Sequence, residues 1–269
     1  MQFKANAKPI SQAGLGRALE KLQMNPAQTA ALWSVFEVET SGTTQGFGFR
    51  PDKRPQILFE RHIFRKYTDQ QFNQQYPDLS GPQGNYGALS QQYEKLERAL
   101  TLCRQHRLGD EPAFKACSWG IGQVMGFNHA LAGYESAASM VEAMILSEDH
   151  QLWAMANFLD NTGLAKHLRT QNWTAFAKGY NGPSYAANHY DIKLAENYAR
   201  FSSGSMPNLE IRSVQAALLV LGYPPGKIDG VPGPRTHAML KNFQISQNLP
   251  ATGTLDPVTY QTITEKAFS

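Results

Sequence analysis

Residues 25–42 read NPAQTAALWSVFEVETSG, and this stretch decides how the first two thirds of the chain are to be taken. Asn25, Pro26 and Gln28 spell a helix start. Asn caps free backbone N–H groups, Pro suits the first helical position, and Gln at the third reaches back to the cap. Leu32, Trp33, Val35, Phe36 and Val38 then predict an apolar helix that stops near Ser41 and Gly42. Two glutamates stand near its end, and they are not equivalent. At about 100° per residue, Glu39 shares a face with Leu32, Val35 and Phe36, whereas Glu37 falls near Ala30, Trp33 and Ser34, a less uniformly apolar face. A carboxyl against apolar side chains loses solvation of its charged form, and a helix C-terminus adds partial negative charge; both raise its pKa. A carboxyl still protonated near neutral pH is what glycosidic cleavage requires, so Glu39 is the first catalytic candidate. The competing reading is a surface glutamate at a fraying helix end.

Upstream, Leu15, Leu19 and Leu22 share one helical face. Downstream, Gly46, Gly48, Pro51 and Pro55 punctuate the chain before the apolar run Ile57-Leu58-Phe59, which predicts a loop and a small β-hairpin. Glu60 follows that run and is the second carboxyl candidate, to activate water or act as nucleophile; a salt bridge with Arg61, Arg65 or another base is the alternative. Helical patterns return over 93–107, 137–146, 152–159, 173–179 and 193–201, so the fold class is mainly α.

Three glycines crowd Ser118-Trp119-Gly120-Ile121-Gly122-Gln123-Val124-Met125-Gly126. Either backbone must approach a ligand such as a sugar there, with Trp119 and Gln123 beside it, or helices pack closely. Gly179-Tyr180-Asn181-Gly182-Pro183 ends a helix bearing Trp173 and Phe176, which a simple helix stop also explains.

The sharpest composition change is at 202–207, small and polar and ending at Pro207, which reads as a flexible linker. After it, Ile211, Val214, Leu218 and Leu221 form one helical face. A weak repeat follows: Gly230, Pro234 and Thr236 recur 23 residues later as Gly253, Pro257 and Thr259. Each copy is a tight turn feeding a helix with Pro at its first position, so the tail reads as three short helices. The expected organisation is 1–201, a linker at 202–207, and 208–269.

The 269 residues carry a net charge of only +3 with no clustered basic stripe, against a nucleic-acid binder. No segment is apolar for the roughly 18 residues a membrane span needs, and residues 1–12 lack a signal-peptide core, so cytoplasmic residence is expected. The two cysteines, Cys103 and Cys117, are expected as reduced thiols. The seven histidines show no paired ligand spacing; Glu60-Arg61-His62 and His189-Tyr190-Asp191 are too generic for a metal site.

Taken in order, Glu39-Thr40, the Gly120-Ile121-Gly122-Gln123-Val124-Met125 run and Tyr180-Asn181-Gly182-Pro183 resemble the signature of the lysozyme-like superfamily, which includes lytic transglycosylases and goose-type lysozymes. With Val38-Glu39-Thr40-Ser41-Gly42, Leu58-Phe59-Glu60-Arg61-His62 and Ser118-Trp119-Gly120, the text is closer to the N-acetylmuramidase domain of phage endolysins. The tail is similar to a three-helix peptidoglycan-binding domain, through Val214-Gln215, Leu221-Gly222-Tyr223, the run from Asp229 to Thr236, Phe243-Gln244 and the run from Thr252 to Asp256. The resemblance implies a lysozyme-like α+β catalytic domain with Glu39 as general acid and Gln123, Tyr180 and Asn181 along a saccharide groove; Glu60 stands in a segment that matches the family, and Trp119 joins the groove on the residue reading above. It implies wall contact through Gln215, Asp229, Gly230 and Arg235, no cofactor or metal, and a monomer acting on peptidoglycan strands. An endolysin would wait in the cytoplasm of the producing cell until released to the wall.

The implied activity is cleavage of the β-1,4 bond between N-acetylmuramic acid and N-acetylglucosamine, with cell lysis. Two departures from the transglycosylase pattern, one residue fewer between Asn181 and Gly182 and Ser118-Trp119 in place of Gly-Ala, weigh for hydrolysis. A lytic transglycosylase forming anhydro products is the alternative, and a non-catalytic wall-binding or phage structural protein the third reading.

Overall fold

Asn25 does what its sequence context requires. In the computed structural model, which describes residues 3–4, 6–41, 46–204 and 206–269, Asn25 Oδ1 accepts from the Gln28 N–H (3.2 Å) and Gln28 Oε1 from the Asn25 N–H (3.0 Å). This box closes a 3-10 turn, Pro26–Gln28, that feeds the central helix. Helix α1 (Gln12–Lys21) precedes it and α2 (Thr29–Glu39) follows. Residues 29–37 of α2 are all buried, so this helix is covered on every side, not on one face. Trp33 and Phe36 meet edge to face at 5.3 Å inside the main core. The backbone turns at Thr40 and Ser41; Gly42, part of the expected stop, lies outside the described residues.

Strand β1 (Ile57–Phe59) forms as expected, but its partner does not come from the preceding loop. Residues 46–56 supply one isolated bridge, Phe49 to Pro55. After α3 (Arg61–Tyr67), α4 (Gln92–Gln105) and α5 (Glu111–Lys115), strand β2 (Cys117–Trp119) pairs antiparallel with β1, Ile57 opposite Trp119 and Phe59 opposite Cys117. Strand β3 (Val124–Met125) completes the three-stranded sheet, so the hairpin is β2–β3. A three-residue strand carries too little pattern to name its partner, and Phe47 and Phe49 of the expected hairpin are drawn into a different core.

Helices α6 (Ala137–Met144), α7 (Glu148–Asn161), α8 (Ala165–Arg169), α9 (Trp173–Asn181) and α10 (Tyr190–Ser203) complete the larger body. α7 packs on α1 and α6, and α10 lies along α2 with Tyr190, Leu194 and Phe201 buried. α10 runs through Ser203, so two residues read as linker are helical; Ser205 of that linker lies outside the described residues. Helices α11 (Leu209–Val220), α12 (Pro234–Ser246) and α13 (Pro257–Phe268) form the three-helix tail around a second core of Val214, Leu218, Leu240, Phe243 and Ile263. The molecule is mainly α with one small sheet, as expected.

Candidate active site

Glu39 ends α2, half-buried, where α10 crosses it. The Tyr190 hydroxyl at the start of α10 donates to Glu39 Oε1. Burial pushes the Glu39 carboxyl from its ordinary 4.5 up to about 7, while the Tyr190 hydrogen bond holds it back. The negative end of α2 acts in the same direction as burial. Burial and the nearby Glu39 carboxylate push the Tyr190 phenol well above its usual range, so it stays a neutral donor. The Asn181 side chain hydrogen-bonds that phenol from the last turn of α9.

Tyr180 is the second phenol of the group. Its hydroxyl donates to the Gly122 carbonyl, its ring stacks on Phe176 at 5.2 Å, and burial with the Glu39 charge raises its pKa well above the ordinary value. Thus the segments around Glu39, Gly122 and Tyr180-Asn181, far apart in sequence, converge. Tyr190 is the residue that sequence reasoning missed. Its signal was weak: His189, just before it, adopts a left-handed conformation at φ 51°, a local strain that sequence does not announce.

Glu60 leaves β1 and stands at the head of α3, its N–H bonded to the Ala116 carbonyl at 2.8 Å. Its carboxyl faces His62 Nδ1 at 3.1 Å and the Tyr86 phenol. Burial raises its pKa, against the charge of His62 and the bonds from Tyr86 and His62. The base that faces the carboxyl, as the alternative reading allowed, is His62; neither Arg61 nor Arg65 pairs with it. Among the described residues, Glu60 and Glu39 share no hydrogen-bond partner.

One groove residue is corrected. Trp119 is fully buried, its indole N–H donating to the Phe114 carbonyl at 3.2 Å, so it belongs to the core and meets no saccharide. The glycines beside it serve packing: a Cβ on Gly126 would stand 2.0 Å from the Phe114 carbonyl oxygen, and one on Gly122 2.8 Å from Met155. Gln123 is half-buried and spends its amide on the hairpin, accepting from Ser118 Oγ (2.7 Å) and donating to the Gly120 carbonyl (2.7 Å), with its own φ at 46°. Its place is beside Gly122 and hence near Tyr180, but its polar atoms are engaged.

In the tail, Gln215 is buried and not a surface contact. Its Oε1 accepts from the Gly230 N–H (2.8 Å) and its Nε2 donates to the Val231 carbonyl (3.1 Å) and Thr236 Oγ1 (3.3 Å). Gln244 repeats this with the Gly253 N–H, the Thr254 carbonyl and Thr259 Oγ1. Each turn of the 23-residue repeat is thus satisfied by a buried glutamine from the helix before it, Gln215 of α11 for the first and Gln244 of α12 for the second. A Cβ on Gly230 would meet backbone of Asn208 at 2.8 Å, so Gly230 too is structural. Asp229 faces Arg200 of α10 at 3.6 Å. Arg235 is the exposed residue of the four and donates to the Pro224 carbonyl. Both cysteines are free and buried, and the described residues hold no cluster of metal-ligating side chains. A crevice of about 800 Å³ opens between residues 8–12 and helices α11 and α13; it holds neither glutamate. No helix among the described residues is long and apolar enough to cross a membrane.

The N-acetylmuramidase family profile matches residues 28–202, and that of a peptidoglycan-binding domain matches residues 208–263. Among solved structures the chain is similar to the endolysin of Burkholderia AP3 phage, 35% identical over 73% of this chain and 72% of that one, with a TM-score of 0.60. No curated protein sequence matches it.

Proposed function

The chain belongs to the N-acetylmuramidase family and carries a peptidoglycan-binding domain, and from that premise we propose that it is an endolysin that hydrolyses the β-1,4 bond between N-acetylmuramic acid and N-acetylglucosamine. Membership makes it a glycosidase-type peptidoglycan hydrolase; the bond, the lytic outcome and the residue roles are the proposal. The observation that carries it is the half-buried Glu39 carboxyl, protonated up to about pH 7 and held by Tyr190. Glu39 gives its proton to the glycosidic oxygen as the bond to the anomeric carbon breaks. The carboxylate left behind is stabilised by the Tyr190 hydroxyl, a charge-assisted hydrogen bond that strengthens as the proton leaves. Glu60 faces the oxocarbenium-like carbon or activates water, with His62 and Tyr86 holding its carboxyl. Tyr180 and Asn181 line the sugar subsite. The 208–269 module holds the enzyme on the wall, and the protein waits in the producing cell until the inner membrane opens, as an endolysin would.

The test is digestion of purified peptidoglycan with mass analysis of the products. Reducing N-acetylmuramic ends are expected; products lighter by one water would mean transglycosylation instead. Glu39→Gln should abolish cleavage while the protein still sediments with wall. Cleavage retained in that variant removes Glu39 from the mechanism.

A further inference from the structure

The tail module is seated on the catalytic body through a buried ion pair. Arg212 of α11 and Glu148 at the head of α7 meet through two contacts, 2.5 and 2.8 Å, both side chains at most 1% exposed. Glu148 also accepts from the N–H groups of Ile10 (2.9 Å) and Gly48 (2.8 Å), and Arg212 donates to the Gly46 carbonyl. So one guanidinium–carboxylate pair gathers the N-terminal segment, the strap 46–49 that returns from α2, and the tail.

That strap is built into the tail. Phe47 and Phe49 are fully buried in the tail's own core with Val214, Leu218 and Ile228. Gly46, at φ 108°, lies so close that a Cβ would stand 2.4 Å from the Ile228 carbonyl oxygen. The strap is also tied to the end of α2, because the Gly46 N–H donates to Thr40 Oγ1 at 2.6 Å, and Thr40 follows Glu39. On the other side of Glu39, Glu37 is paired with Lys227 of the tail at 2.5 Å and with Arg200 at 3.3 Å. Arg212 itself stands over the Trp33 ring of α2 at 5.4 Å.

We infer that the peptidoglycan-binding module is a structural part of the active site: Arg212 and Lys227 are positioning residues that fix the last turn of α2, and with it Glu39, from the tail side. A tether that only concentrated the enzyme on the wall would need no buried guanidinium and no aromatic strap shared between the two cores. The inference rests on Glu39 being the proton donor.

The experiment uses the full chain and soluble, uncross-linked glycan strands, a substrate for which wall tethering is irrelevant. Arg212→Met is expected to lower kcat by about tenfold or more, since small misplacements of a reacting group cost on that scale, with KM and co-sedimentation with insoluble wall unchanged. Arg212→Lys, which keeps the charge but not both contacts, should fall between. Because the Met variant leaves Glu148 buried without its partner, Lys227→Glu is the second arm; it sets a like charge against Glu37 at a half-exposed site and should lower kcat severalfold in a folded protein. Wild-type kcat on soluble strands in the folded Arg212 and Lys227 variants overturns the inference, and if Arg212→Met does not fold, wild-type kcat in Lys227→Glu alone does so. An active Glu39→Gln enzyme would overturn the proposed mechanism instead, so the two failures are distinct.

Discussion

At Glu39 two effects of opposite sign meet: burial raises the carboxyl to about 7, and the Tyr190 hydroxyl favours its ionised form. A general acid must hold its proton, so activity should fall as pH rises through about 7, with the slope of a single ionisation. Tyr190→Phe removes the bond that stabilises the carboxylate; that limb should move to higher pH and kcat should drop by about tenfold, the scale of one charge-assisted hydrogen bond. A pH–rate profile unmoved by the substitution would deny Tyr190 its part. The same shift is a stability statement. The folded protein holds the Glu39 proton more tightly than the unfolded chain, so stability linked to this residue is full below pH 4.5 and is lost as pH rises through 7. Glu39→Gln should therefore gain on the parent between those values and level off above, by about 2–3 kcal/mol after allowance for partial exposure, measurable as urea midpoints at acid and alkaline pH. Trp119→Ala, by contrast, should cost about 3–5 kcal/mol of stability, as a buried indole does, with KM for soluble strands unchanged in the folded fraction.

Among the elements, the ones easiest to read in the sequence were those governed by local rules. The Asn25 box, the start of α2 and the Pro-headed helices α12 and α13 follow from neighbouring residues, and the structure has them where spacing put them. The glycines of 118–126 were ambiguous because nothing local says whether a ligand or a side chain comes close; Phe114, Gln151 and Met155 turn out to fill that space. A matched pair of substitutions tests this. Gly126→Ala would force backbone apart and should destabilise by about 1–3 kcal/mol, whereas Gly16→Ala, in the middle of α1 with nothing within 4 Å, should stabilise by about 0.5–1 kcal/mol. Thermal unfolding of the two variants distinguishes them by sign. The repeat in the tail was visible as text, but its meaning was not: recurrence of Gly, Pro and Thr marks a turn, and only the bonds of Gln215 and Gln244 show that the turn is clamped from within.

For the whole molecule, the buried Arg212–Glu148 pair and the shared aromatic strap predict that the larger body and the tail unfold together. Calorimetry of the full chain should show one transition; two well-separated transitions would mean the seam contributes little to stability. The sequence by itself determined the helical class, the helix carrying Glu39, the family and the presence of a peptidoglycan-binding tail, because periodicity, capping and ordered motifs are properties of neighbouring residues. It could not choose the partner of β1, expose Tyr190 as the group that holds Glu39, bury Trp119 in the core or seat the tail on the larger body through Arg212 and Glu148. These depend on contacts between residues far apart in the chain, such as Ile57 with Trp119 and Glu39 with Tyr190. Tertiary packing alone decided them, since the free energy that selects such a contact comes from burial and ion pairing that no local window of the chain contains.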